Sequence, residues 1–262
     1  MGRRDMDNRV YLIAFNTIVI KEISRFMRIW VQTIIPPAVS MTLYFLIFGN
    51  LIGPRIGEMS GHAYVEYIAP GLIMMSIINN SYANVVSSFF GAKFQRHIEE
   101  MLVAPVPDFI ILSGYITGGV VRGAIVGVVV TLVAMFFTQL RIHNMAIIIS
   151  VVLLTSILFS LGGFINGVFA KKLDDISIIP TFILTPLIYL GGVFYSINLL
   201  PEFWQVVSRL NPILYMVNTF RYGLLGTSDI SLAAAYTIII GFIVALFCLS
   251  LYLLASGTGT RT

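Results

Sequence analysis

Long apolar runs separated by short charged segments organise this chain. Six runs matter: residues 32–51, 68–90, 109–137, 145–169, 176–195 and 232–254. A helix rises about 1.5 Å per residue, so about 20 apolar residues cross a hydrocarbon core about 30 Å thick. The runs are far longer than barrel strands and do not alternate. They predict an all-α membrane protein with six transmembrane helices.

Three segments depart from simple spans. In residues 18–30, Lys21, Arg25 and Arg28, followed by Gln32, recur at helical spacing on one face, while Ile23, Phe26, Met27 and Trp30 lie largely on the other. This predicts an amphipathic helix in the membrane interface, ending before a break at Pro36–Pro37. The segment GAKFQRHIEEMLVAPVP predicts about three helical turns over residues 92–103, stopped by Pro105 and Pro107. Lys93, Arg96, Glu99 and Glu100 cluster there, and Phe94, Ile98, Met101 and Leu102 are free to face a membrane or a partner. Residues 195–229 are apolar yet contain Glu202, Arg209, Asn211, Pro212 and Arg221. The Asn211–Pro212 step splits them into two helical pieces, 202–209 and 213–225, each too short to span. They predict a re-entrant hairpin.

Glycines add a packing expectation. Gly114 and Gly118 recur at intervals of four in the third run, as do Gly119, Gly123 and Gly127; Gly163 and Gly167 follow in the fourth. Small residues at this spacing let helices approach closely. The fifth run carries Pro180, Pro186, Gly191 and Gly192, a pattern of kinks.

Composition agrees with a bilayer. Of 262 residues, 58% are hydrophobic and 11% charged, against roughly 25% charged in soluble domains. The net charge of +4 forms no nucleic-acid stripe, because the basic residues sit at the ends of apolar runs. Their distribution sets direction. Arg3, Arg4, Arg9, Lys21, Arg25, Arg28, Lys93, Arg96, Lys171, Lys172 and Arg261 fall on one face, and Arg55, Arg141, Arg209 and Arg221 on the other. Both termini are therefore expected in the cytoplasm. Arg122 lies inside the third run, where a charge costs roughly 2.5–3.5 kcal/mol on insertion scales. It requires a structural hydrogen-bond partner or a place on a substrate path. Tyr64, Tyr67, Tyr195, Trp30, Phe203 and Trp204 are expected as interfacial anchors.

Catalytic patterns are missing. His62, His97 and His143 are scattered, Cys248 is the single cysteine, and none of the four lysines follows a glycine. No metal site, nucleophile turn or phosphate-cradling Gly-Lys-Ser/Thr loop is expected, so ATP, if used, binds elsewhere. A self-contained secondary transporter is the alternative, but it would need intramembrane carboxylates and internal repeats, and neither is evident.

The order of these features, with YVEYIAPGLIMM (64–75) and GGVFYSINLLPEFWQVVSRLNPILYMVNTFRYGLLG (191–226), resembles the ABC-2 type transport permeases of bacterial inner membranes. The likeness covers nearly the whole chain. It implies one membrane domain over 1–262: a connecting helix within 1–31, five spans in 32–197, a re-entrant exoplasmic segment in 198–230, and a last span with its tail in 231–262. It further implies an exporter in which two copies pair with two separate ATPase subunits that bind ATP and Mg. Lys93, Phe94, Arg96, His97, Glu99, Glu100, Met101 and Leu102 become its ATPase-coupling helix. Lys21, Glu22, Arg25 and Arg28 become its connecting helix, also near the ATPase. The family's cargoes imply a lipid, glycan or other amphiphile as substrate.

Overall fold

The structure is a computed structural model that describes residues 8–258; Arg3, Arg4 and Arg261 lie outside the described residues. Helix α1 (Asn8–Arg28) is followed by α2 (Trp30–Tyr44), which runs through a π-helical stretch (Phe45–Ile52) into α3 (Gly53–Ile56). A two-residue hairpin, β1 (Glu58–Met59) with β2 (His62–Ala63), leads to α4 (Tyr64–Phe94). Then come α5 (His97–Val103), α6 (Asp108–Met135) and α7 (Met145–Phe169). A broken helix follows, comprising α8 (Asp175–Ile179), a π-helical turn and α9 (Thr185–Leu190). Helices α10 (Glu202–Arg209), α11 (Pro212–Leu225) and α12 (Leu232–Ser256) complete the fold.

Among the described residues, four helices are long and apolar enough to cross a membrane: Trp30–Ile56, Asp108–Met135, Met145–Phe169 and Leu232–Ser256. Helix α4 has the length, 31 residues, but carries Ser76, Asn79, Asn80, Ser81, Asn84, Ser87 and Ser88 along its middle. It tolerates them because it is the central helix, with α6, α7 and α11 packed round it. The unit Asp175–Leu190 is short and kinked. Pro186 has no N–H to give, and the ladder shifts by one residue so that Thr185 N–H reaches Pro180 O. Helix ends at Gly191–Gly192, ahead of the expected limit at Tyr195; Gly192 takes φ +70 there, a conformation open to glycine.

Two further boundaries differ from expectation. The first break falls at Ile29, not at Pro36–Pro37; both prolines lie within α2. The segment 92–103 is not one helix. Helix α4 runs on to Phe94, Arg96 takes a left-handed conformation (φ 62), and α5 starts afresh at His97. The two pieces expected as a hairpin pack unequally: α11 is packed among α4, α7 and α12, whereas α10 lies largely exposed.

The glycines of α6 serve two packing faces. Their two series are offset by one residue, about 100° round the helix. On one face a Cβ at Gly118 would stand 2.6 Å from Glu22 Cβ, and one at Gly114 would strike Ile18. On the other, a Cβ at Gly119 would collide with Ser160 and one at Gly123 with Ser81. Helix α6 thus takes α1 against one side and α4 with α7 against the other at backbone range. In lipid, where burial supplies little drive between helices, such close packing holds a bundle together. Replacing Gly118 by Val should destabilise the chain by about 1–3 kcal/mol. Gly241→Val, where an added Cβ meets nothing within 4 Å, should be close to neutral. Thermal unfolding of both variants in the same detergent compares them, and equal losses would remove the wedge assignment.

Candidate functional site: a braced helical corner and two buried clamps

The corner between α4 and α5 is exposed but not loose. Lys93 Nζ donates to Val168 O (2.6 Å) and Ala170 O (2.7 Å), tying the end of α4 to the end of α7. Free carbonyls at a helix C-terminus favour such a cation. Ile98, 1% exposed, plugs α5 into a core cluster with Leu112 and Phe164. These two anchors leave Phe94 (71% exposed) and Val103 (86%) outward, with Arg96, His97, Glu99 and Glu100 also exposed. Lys93 and Ile98 therefore face the chain's own core, not outward. Met101 is half-buried, its sulfur within reach of the Tyr115 hydroxyl (3.8 Å). Beside the corner, the backbone N–H groups of Lys171 and Lys172 donate to Asp175 Oδ2 (2.8 and 3.0 Å).

A polar clamp fixes α1 beside this corner. Ile18, Glu22 and Phe26, four residues apart, form the buried stripe of α1. Glu22 is fully buried and accepts from Ser88 Oγ (2.6 Å). Arg25 Nη2 donates to Asn84 O (2.9 Å) and Asn84 Oδ1 (2.8 Å), and reaches Glu22 Oε2 at 3.4 Å. Glu22 and Arg25 thus point into the bundle rather than toward a partner, while Lys21 and Arg28 stay exposed. The reason is Gly118, which leaves room for Glu22. Arg122 lies one turn further along α6. Its Nη2 donates to Asn80 Oδ1 (3.3 Å), and its buried Nε has no partner among the described residues.

The opposite end carries a second clamp. Asn211 caps α11, accepting from Ile213 N–H (3.0 Å) and donating to Leu187 O; Pro212 occupies the first turn, where its missing N–H costs nothing. Glu202 and Arg209 remain exposed on α10. Arg221 is 1% exposed. It donates to Gly192 O (2.7 Å), Tyr67 O (3.3 Å) and Asn218 Oδ1 (3.4 Å), and lies 4.0 Å over the Tyr67 ring. Asp229 accepts from Ser196 Oγ (2.9 Å) and Tyr67 OH (3.4 Å). A buried cation persists only with such a full set of partners. Tyr67 and Tyr64 are consequently buried, not interfacial anchors. Trp30, Phe203 and Trp204 are exposed as anchors would be.

A family model described as the ABC-2 type transporter matches residues 13–225, from within α1 to the end of α11. The chain belongs to the ABC-2 type transporter family. It is 57% identical over 253 residues to the inner membrane transport permease YadH of Escherichia coli (strain K12), covering 97% of this chain and 99% of that protein. It is 22% identical over 186 residues to nodulation protein J of Rhizobium meliloti (strain 1021), 71% of each chain. Nodulation protein J of Rhizobium leguminosarum bv. trifolii gives 23% over 213 residues, 81% of each. This ABC-2 type chain is thus a membrane-embedded permease of an ABC transporter.

Sequence reasoning reached Arg221, Asn211 and the corner, but assigned no role to Asn84, Ser88, Asn218 or Asp229. Their signal was polarity within apolar surroundings. The three acceptors of Arg221 are reached by three separate nitrogens of its planar guanidinium, Nε, Nη1 and Nη2, a spread that the single nitrogen of an ammonium does not reproduce. Arg221→Lys should therefore destabilise the bundle nearly as much as Arg221→Gln, by about 3 kcal/mol. Melting curves of the two variants test this, and full rescue by Lys would reduce Arg221 to a simple charge.

Proposed function

We propose that this chain is the membrane subunit of an ATP-driven exporter in a bacterial inner membrane, with two copies pairing with two separate ATPase subunits. The exposed corner carries this reading. It presents Phe94, Arg96, His97, Glu99 and Glu100 outward on a base fixed by Lys93 and Ile98, as a knob must be to transmit force. Six crossings follow if α4 and the kinked unit Asp175–Leu190 join the four long apolar helices. Burial of the polar seam of α4 favours that count. Helices α10 and α11 then form the re-entrant exoplasmic segment, and both termini lie in the cytoplasm with most of the Lys and Arg.

In this reading ATP and Mg sit on the ATPase. Closure of the ATPase pair pulls on α5, and the Lys93 ties carry the pull to α4 and α7 together. The Glu22–Arg25 clamp carries α1 with them. Energy enters as differential affinity of the ATPase for two bundle states. The cargo is an amphiphile, a lipid or glycan conjugate, with Arg122 and its unpaired Nε on the path.

Affinity purification of the full chain from membranes in mild detergent should bring down a soluble P-loop ATPase with vanadate-sensitive activity. Glu99→Arg combined with Glu100→Arg should lose that partner or its coupling to transport while the bundle melts as before. A clean homo-oligomer without an ATPase would instead favour a self-contained carrier. Unchanged coupling in the double variant would take the docking role from α5.

A further inference from the structure

A cavity of about 420 Å³ opens between α6 and α7, away from the braced corner. That size lies within the range of small-ligand pockets, about 300–1,000 Å³. Its floor is made by Ile73 and Ile77 of α4 with Phe220 and Leu224 of α11, all buried. Its rim, including Val128, Leu132 and Ile149, is apolar and exposed. Among the described residues Thr131 is the one hydroxyl in the lining, and it donates back to Gly127 O (2.7 Å). The groove therefore offers an occupant apolar contact alone.

A second cavity, of about 310 Å³, adjoins it with the opposite character. Gly61, His62, Glu66, Gln139, Arg141 and Leu225 line it. The two share one wall, the non-helical segment after α6. Leu140 and Ile142 line the groove, and Gln139 and Arg141 line the polar recess. This alternation is that of an extended chain. An exposed cation thus stands one wall away from an apolar slot. Across the recess Glu66 sits 3.8 Å from His62 Nδ1, supplying an opposite charge.

We propose that groove and recess together hold one phospholipid with an ammonium-bearing headgroup. An acyl chain fills the groove, the phosphate meets Arg141, and the ammonium meets Glu66. The mixed charge of the recess favours a zwitterionic headgroup over a purely anionic one. A second copy of the chain would meet the apolar groove but would leave the two charges of the recess unmatched, which the lipid headgroup pairs.

The test uses the full-length chain with Trp30 and Trp204 replaced by Phe and a single reporter, Ile149→Trp, at the groove. Phe242→Trp on α12 is the control. Both are titrated in mixed micelles with brominated-acyl phosphatidylethanolamine or phosphatidylglycerol. The groove reporter should quench saturably at low lipid fractions, with phosphatidylethanolamine preferred, and the control only in proportion to lipid. Ala124→Phe, which fills the slot, should abolish saturation. Arg141→Gln should weaken the site by about tenfold, as expected for one charge-assisted contact. Quenching proportional to lipid at both reporters would overturn the site, as would shielding of the groove reporter alone, which would indicate a second copy. Equal response to the two headgroups, or no effect of Arg141→Gln, would overturn the headgroup assignment. Native mass spectrometry of the unaltered chain gives an independent reading. It should retain one phosphatidylethanolamine per chain through a detergent exchange, and loss of all lipid would overturn the site there too.

Discussion

Gly118 has no side chain, and the Cβ and Cγ of buried Glu22 take up the space one would need. Much of the bundle depends on that substitution of a neighbour's atoms for a residue's own. In lipid, apolar surface gains little by leaving its surroundings, so helices hold together through contact at short range and through polar groups that find partners. The two glycine faces of α6 supply the first. They admit α1 on one side and the serine-bearing faces of α4 and α7 on the other. Once the backbones are this close, Glu22 and Arg25 are within reach of Ser88 and Asn84.

Helix α4 joins the two ends of the molecule. At one end it carries Asn84, Ser88 and Lys93, which hold α1 and α7. At the other, the ring and carbonyl of Tyr67 receive Arg221. In the proposed coupling, a helix clamped at both ends is the element that would carry displacement from the α5 corner to the α11 end. The softer elements lie beside it. The π-helical stretches Phe45–Ile52 and Pro180–Leu184 interrupt the regular ladder in the first and fifth apolar runs. Such interruptions are common where a helix bends in function.

The apolar runs by themselves determined that the chain is helical and membrane-embedded, because period and length are local properties. The Asn211–Pro212 step likewise marked the start of α11, since a proline's effect on its neighbours is steric and immediate. What local pattern could not carry was direction. Glu22, Arg25 and Lys93 read as surface charges, since charged groups usually seek water; only the tertiary structure turns them inward, where a glycine on α6 makes room and carbonyls ending α7 lack donors. The same holds for Tyr67, an anchor by its place in the chain but buried once Arg221 needs an aromatic face. Polar residues in a bundle are placed by partners distant in sequence, so their roles emerge only when the helices meet.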